Sequence, residues 1–120
     1  MIIKLKGNVP SKKNSKRRVQ RGAHVFMIPS EAHEKWHKIQ MAELQKPRLF
    51  VPIARISECC LTFFHGDRRK NDLSNKAESV MDLLVDAGIL EDDNWFVVPR
   101  LSLEFGGVDK ENPRVVIRII

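Results

Sequence analysis

Two short stretches of the chain carry most of its chemistry. The first reads Asp67-Arg68-Arg69-Lys70-Asn71-Asp72-Leu73-Ser74-Asn75-Lys76-Ala77-Glu78, and the second reads Glu91-Asp92-Asp93-Asn94. A basic triplet runs into an acidic residue that opens a helix, and a second acidic cluster follows where that helix ends. The chain carries a formal net charge of +6, so carboxylates gathered beside cations fit one task well: holding a divalent metal next to a phosphate. Each acid also has a plainer reading. Asp72 suits a helix N-cap, Asp92-Asp93 suits an exposed turn, and Asn75-x-x-Glu78 matches a capping box.

The spacing dictates how the clusters can meet. Ala77, Val80, Met81, Leu84 and Ala87 recur at helical intervals, with Glu78, Asp82 and Asp86 on the other side. This predicts an amphipathic helix over 75–87, beginning near Ser74, with Gly88 past its end as a C-cap. Such a helix spans roughly 20 Å, so Asp93 cannot return to Asp72 along it. A strand from Trp95 carries the chain back, and either curvature of the chain or a partner subunit must close the site.

At these residues the chain resembles the RusA family of Holliday junction resolvases, whose core reads as a basic run, Asp-x-Asp-Asn-x-x-Lys opening a helix, then Ala-Gly, then Asp-Asp. Arg68-Arg69-Lys70, Asp72, Asn75, Ala87-Gly88 and Asp92-Asp93 match that pattern, and Pro10-Ser11-Lys12-Lys13-Asn14 is similar to the family's Pro-Ser-x-Asn. Two positions depart from it: Ser74 stands where the second Asp is expected and Glu78 where the Lys is expected. The resemblance implies a homodimeric, Mg²⁺-dependent endonuclease that makes paired nicks in four-way DNA junctions, in recombination and repair. Small resolvases of this kind are often carried by phages and prophages.

The resemblance makes Asp72 and Asp93 the leading metal ligands, with Asp92 as a neighbouring or water-mediated ligand and Ser74 as a weak one. A hydroxyl brings no charge to offset dehydration of Mg²⁺, so Glu78 is the acid placed to compensate. Lys76 lies two positions from the family lysine, nearly on the opposite side of a helix. It takes over stabilisation of the transition state only if the helix starts later than the pattern indicates. The changes at Ser74 and Glu78 keep a second reading open, a junction-binding protein whose catalysis is weakened or lost. A third, an RNA-binding or partner-binding module, lacks the aromatic stacking face of single-strand RNA readers.

The positioning elements follow from pattern. Ile2–Lys6 alternates apolar and basic residues and reads as a strand. Residues 7–22 read as a long basic loop, and Lys12, Lys13, Asn14, Lys16, Arg17 and Arg18 form a candidate DNA contact with Arg68, Arg69, Lys70 and Asn75. Val25–Ile28 reads as a short strand, and a helix capped by Ser30 runs to about Gln45 before Pro47, carrying Trp36, Ile39 and Leu44. His33 and His37 are spaced i, i+4 on it, which is compatible with a shared metal, but no third ligand is evident nearby and an exposed helix face explains the pair without one. Ile53–Phe64 reads as a central strand and Trp95–Phe105 as another with an edge or bulge at Pro99. Gly106-Gly107 and 109–113 then read as a hairpin-like turn into Val115–Ile120, with Arg118 on the wet face.

These elements predict an α+β fold: one domain over 1–120, with two helices on a mixed or mostly antiparallel sheet, and a homodimer. A length of 120 residues with 42% apolar content supplies one core. No apolar run approaches the ~20 residues of a membrane span, and the charged start argues against a signal peptide, so the expected location is the cytoplasm with no membrane partner. Adjacent Cys59 and Cys60 point to opposite faces of a strand and are expected to stay reduced. Charge is segregated: residues 1–30 carry eight Lys or Arg and no acid, whereas residues 71–93 carry seven acids and one Lys. One end attracts phosphate and the middle repels it unless a cation intervenes.

Overall fold

The computed structural model describes residues 1–11, 16–22, 24–29, 31–45 and 51–120, and for 16–21 and 24–29 the backbone alone. The order of elements is β1 (Ile2–Lys6), β2 (Lys16–Arg21), β3 (His24–Pro29), α1 (Glu31–Leu44), β4 (Cys59–His65), α2 (Leu73–Asp86), β5 (Leu101–Val108) and β6 (Arg114–Ile119). A four-stranded mixed sheet runs β1-β6-β4-β5, and β2 and β3 form a separate antiparallel pair. Part of the expected 7–22 loop is thus strand β2. Its Lys16-Arg17-Arg18-Val19-Gln20-Arg21 run has no apolar alternation to reveal that. Lys12, Lys13, Asn14, Ser30 and Pro47 lie outside the described residues.

The sheet has one dry and one wet face because its strands alternate. Cys59, Leu61 and Phe63 of β4 and Val115, Ile117 and Ile119 of β6 pack on the same side as α2, whose Val80, Leu83 and Leu84 are fully buried. On the other face β1 and β6 pair Ile2 with Arg118 and Lys4 with Val116, and the half-buried Cys60, Thr62 and Phe64 of β4 lie beside them. The cysteines are free and face opposite ways as expected, and burial pushes the Cys59 thiol up to about 11.

Three expectations need correction. Residues 53–58 are not strand, because their backbone bonds go to scattered partners: Ile53 NH to Ile89 O, Ile56 NH to Val97 O, and Ser57 NH to Ile120 O. A ladder needs one neighbour throughout, so β4 begins only at Cys59. Residues 95–100 are irregular as well: Asn94 draws in the amides of Phe96 and Val97, and β5 starts at Leu101. Finally, Gly106-Gly107 belongs to β5, and 109–113 is no hairpin. β5 lies parallel to β4 on one side while β6 lies antiparallel on the other, so the connection crosses the end of β4, pinned where Asp109 NH donates to His65 O at 2.8 Å.

Helix α1 buries His33, Trp36 and Gln40 rather than Ile39, which is half exposed at 51%. Gln40 donates to Lys6 O at 3.1 Å, tying α1 to the end of β1. Helix α2 ends as its sequence indicates, with Ala87 helical and Gly88 at a φ of 72°, the left-handed region that glycine enters without strain.

Candidate active site

Helix α2 starts at Leu73, with Asp72 at the N-cap position in extended backbone (φ −89°, ψ 127°), yet its carboxylate makes no capping bond to the helix amides. It accepts from Asn75 Nδ2 at 3.3 Å instead. This start also disposes of the capping-box reading of Asn75 and Glu78, since Asn75 lies inside the first turn. Asp72 and Glu78 are both exposed, with their oxygens available for other work.

The first turns of α2 separate two cavities. One, of about 390 Å³, is lined by Asp72, His65 and the cations Arg69, Lys70, Lys76 and Arg114, over a floor that includes Phe63, Leu73 and Phe105. The other, of about 460 Å³, is lined by Ser74, Glu78, Asp93 and Asn94, with Met81, Trp95 and Leu103 among its walls. Residues two apart near the helix start thus face different ways, as helical geometry requires. Phe105 of β5 lines the first cavity and Leu103 the second, so both lie along the groove between α2 and β5.

The return of Asp93 to the start of α2 is made within one chain. The segment after Leu90 runs back beside the helix and brings Asp93 to Ser74 and Glu78, though not into the cavity that Asp72 lines. Burial pushes the Asp93 carboxyl up, reinforced by the hydrogen bond and charge of Asp92 and more weakly by Asp82. Asp92 is held low, chiefly by the Asp93 amide, at 2.8 Å, and then by Asn94 Nδ2, at 2.7 Å. Among the described residues no three His, Cys, Asp or Glu side chains gather closely enough to hold a metal unaided, His33 and His37 included. His37 Nε2 lies 2.9 Å from Asp86 Oδ2 on α2.

Lys76 is buried, and its Nζ donates to Val9 O. Desolvation lowers its affinity for the proton, partly offset by Asp67. One turn on, Ser79 Oγ donates to Pro10 O at 2.6 Å. Together they clamp the segment leading to Lys12, Lys13 and Asn14 against α2. The helix starts at Leu73 and not later, so the condition set for Lys76 from sequence is not met; even so, Lys76 lines the cavity of Asp72 while Glu78 faces the other.

The basic triplet is braced by Asp67, the acid just before it, to which sequence spacing alone assigns no task. Its Oδ1 accepts the Arg69 amide at 2.9 Å, the main reason its carboxyl is held low, and lies 3.2 Å from His65 Nδ1. Arg69 and Lys70 line the cationic cavity, and Arg68 stands exposed outside it. Arg114 is the other residue that sequence reasoning missed. It stacks 3.9 Å over the Phe64 ring and bonds Asp109 Oδ2 at 2.8 Å, and only the sheet order brings it there.

The sequence profile of the RusA endodeoxyribonucleases matches residues 5–120. The chain belongs to the RusA endodeoxyribonuclease family. No curated protein matches it significantly. RusA membership makes this chain a nuclease by family. No helix among the described residues is long and apolar enough to cross a membrane.

Proposed function

We propose that the protein resolves four-way DNA junctions by paired, Mg²⁺-dependent nicks, acting as a twofold homodimer. One observation carries this reading: a cavity lined by four cations and a cavity lined by carboxylates lie side by side at the start of α2. The cations Arg69, Lys70, Lys76 and Arg114 attract and orient the scissile phosphate. The donor set suits Mg²⁺, which keeps several waters and needs only two or three protein oxygens. Asp93 and Glu78 would hold it, with Ser74 and Asp92 adjoining and Asp72 lining the neighbouring cavity. Bound there, it supplies Lewis-acid stabilisation of phosphoryl oxygens and lowers the pKa of water.

A second reading, a junction-binding protein with weakened catalysis, draws on the placement of Asp72 and Asp93 in different cavities and on the neutral Ser74. Substitution separates the two. In the nuclease reading Asp72→Asn and Asp93→Asn each reduce Mg²⁺-dependent cleavage of a labelled junction by at least about a hundredfold, ~2.7 kcal/mol of transition-state stabilisation, while binding is retained. Cleavage unaffected by both variants would overturn the site.

A further inference from the structure

The sequence shows no aromatic stacking face, yet the structure presents one in miniature: Trp95 and Phe96 stand at the tip of the acidic turn with 77% and 73% of their surfaces exposed. The turn beneath them is braced. Asp92 binds the Asp93 amide and Asn94 Nδ2, while Asn94 Oδ1 accepts the amides of Phe96 and Val97 at 3.0 and 3.2 Å. Asn94 O takes the amides of Val97 and Val98, whose side chains are buried. The two rings pack edge to face, 6.3 Å between centroids. A rigid turn therefore holds a large apolar surface out in water, where it is costly unless something covers it.

The position indicates what does. Trp95 lines the same cavity as Asp93, Ser74 and Glu78, so a DNA backbone engaged there brings its bases to the aromatic tip. The two rings expose roughly 300 Å². That is far below the ~800 Å² per partner of a stable protein interface, so the tip alone is too small to hold a second copy. It is large enough for a nucleobase, whose flat face stacks on any aromatic ring. Within continuous duplex both faces of each base are already stacked, whereas at a branch point the arms can unstack from one another and free a face of each flanking base.

We propose that Trp95 and Phe96 form a stacking platform for a base freed at the branch point, which selects branched over continuous DNA. This rests on the reading of the α2 groove as a site for branched DNA. Trp36 is buried, so quenching of exposed Trp95 emission reports stacking directly.

The test measures binding and emission with a four-way junction and a linear duplex, Ca²⁺ replacing Mg²⁺ to hold back cleavage. The wild-type protein should be quenched by the junction and not by the duplex. Trp95→Ala combined with Phe96→Ala should bind the junction about tenfold more weakly and the duplex less than twofold. Trp95→Phe should keep the affinity and lose the quench. Equal losses on both DNAs, no loss on either, or a fall to half the native mass would overturn the platform, the last marking an interface between copies. Quenching without any cleavage in Mg²⁺ would leave the platform standing and discard the nuclease. Full junction cleavage and binding by the double alanine variant would do the reverse.

Discussion

At the scale of residues, Asp93 is where stability and function pull apart. Burial and Asp92 push its carboxyl up, so in the absence of metal the folded chain ionises it less readily than the unfolded chain does. Fold stability therefore falls as pH rises from the ordinary aspartate value, ~3.9, through the raised one, and stays reduced above it. Asp93→Asn should raise the melting temperature in EDTA at pH 7, by about a degree or two given the exposure of the group. Mg²⁺ should raise the melting temperature of the wild type further, and the same variant should lose that rise. That Mg²⁺ response should itself fade on acidification, at a pH above that at which an ordinary aspartate takes up its proton. A metal response that survives Asp93→Asn would remove Asp93 from the ligand set.

Glu78 is the residue whose type departs most from the family pattern, and its surroundings now favour work over capping. It lines one cavity with Asp93 and with Ser74, one turn before it on the same helix, and the helix start excludes a capping box with Asn75. If it supplies the missing charge, Glu78→Gln should abolish Mg²⁺-dependent cleavage and leave junction binding intact. Unchanged cleavage would leave it a solvated carboxylate with no part in the reaction, and Ser74→Asp should then raise activity by restoring the expected acid.

At the scale of elements, Gly106 sets how closely β5 can approach β4. A Cβ there would meet the Phe64 ring at 2.6 and 2.7 Å and Thr62 Cγ2 at 2.9 Å, beside the register shift at Phe63/Phe64. Gly106→Ala should cost about 1–3 kcal/mol, read from the urea midpoint. Phe64→Leu in the same chain should recover part of it through the coupling of neighbours. Strictly additive losses would mean that the ring is not the obstacle.

How much of this was legible follows from the range of each signal. Helix α2, β1, β6 and the opposed cysteines were readable because periodicity is local. The starts of β4 and β5 were not, because tertiary hydrogen bonds from 53–58 and the Asn94 turn decide them against a strongly β-prone composition. The matching acids stood out in sequence, whereas the separation of Asp72 from Asp93 and the arrival of Arg114 depend on sheet order, which no short window contains. The proposed contact of Lys16, Arg17 and Arg18 with DNA rests on their charge.

At the scale of the whole molecule, the described residues of one chain offer a single groove along α2 and β5, and the paired cuts proposed at one junction would need two such grooves. Closed twofold assembly is the simplest way to present them. The protein should therefore run at about twice 13.8 kDa at micromolar concentration. Its DNA affinity should fall linearly with salt on a double-logarithmic plot, as contacts to phosphates require.

The most direct measurement is cleavage of an end-labelled four-way junction and the matching linear duplex, each with Mg²⁺ and with EDTA. The account predicts nicks at symmetry-related positions in two opposed strands of the junction, in Mg²⁺ only, with the duplex left intact. Equal cutting of the duplex, or junction cutting that persists in EDTA, would contradict it.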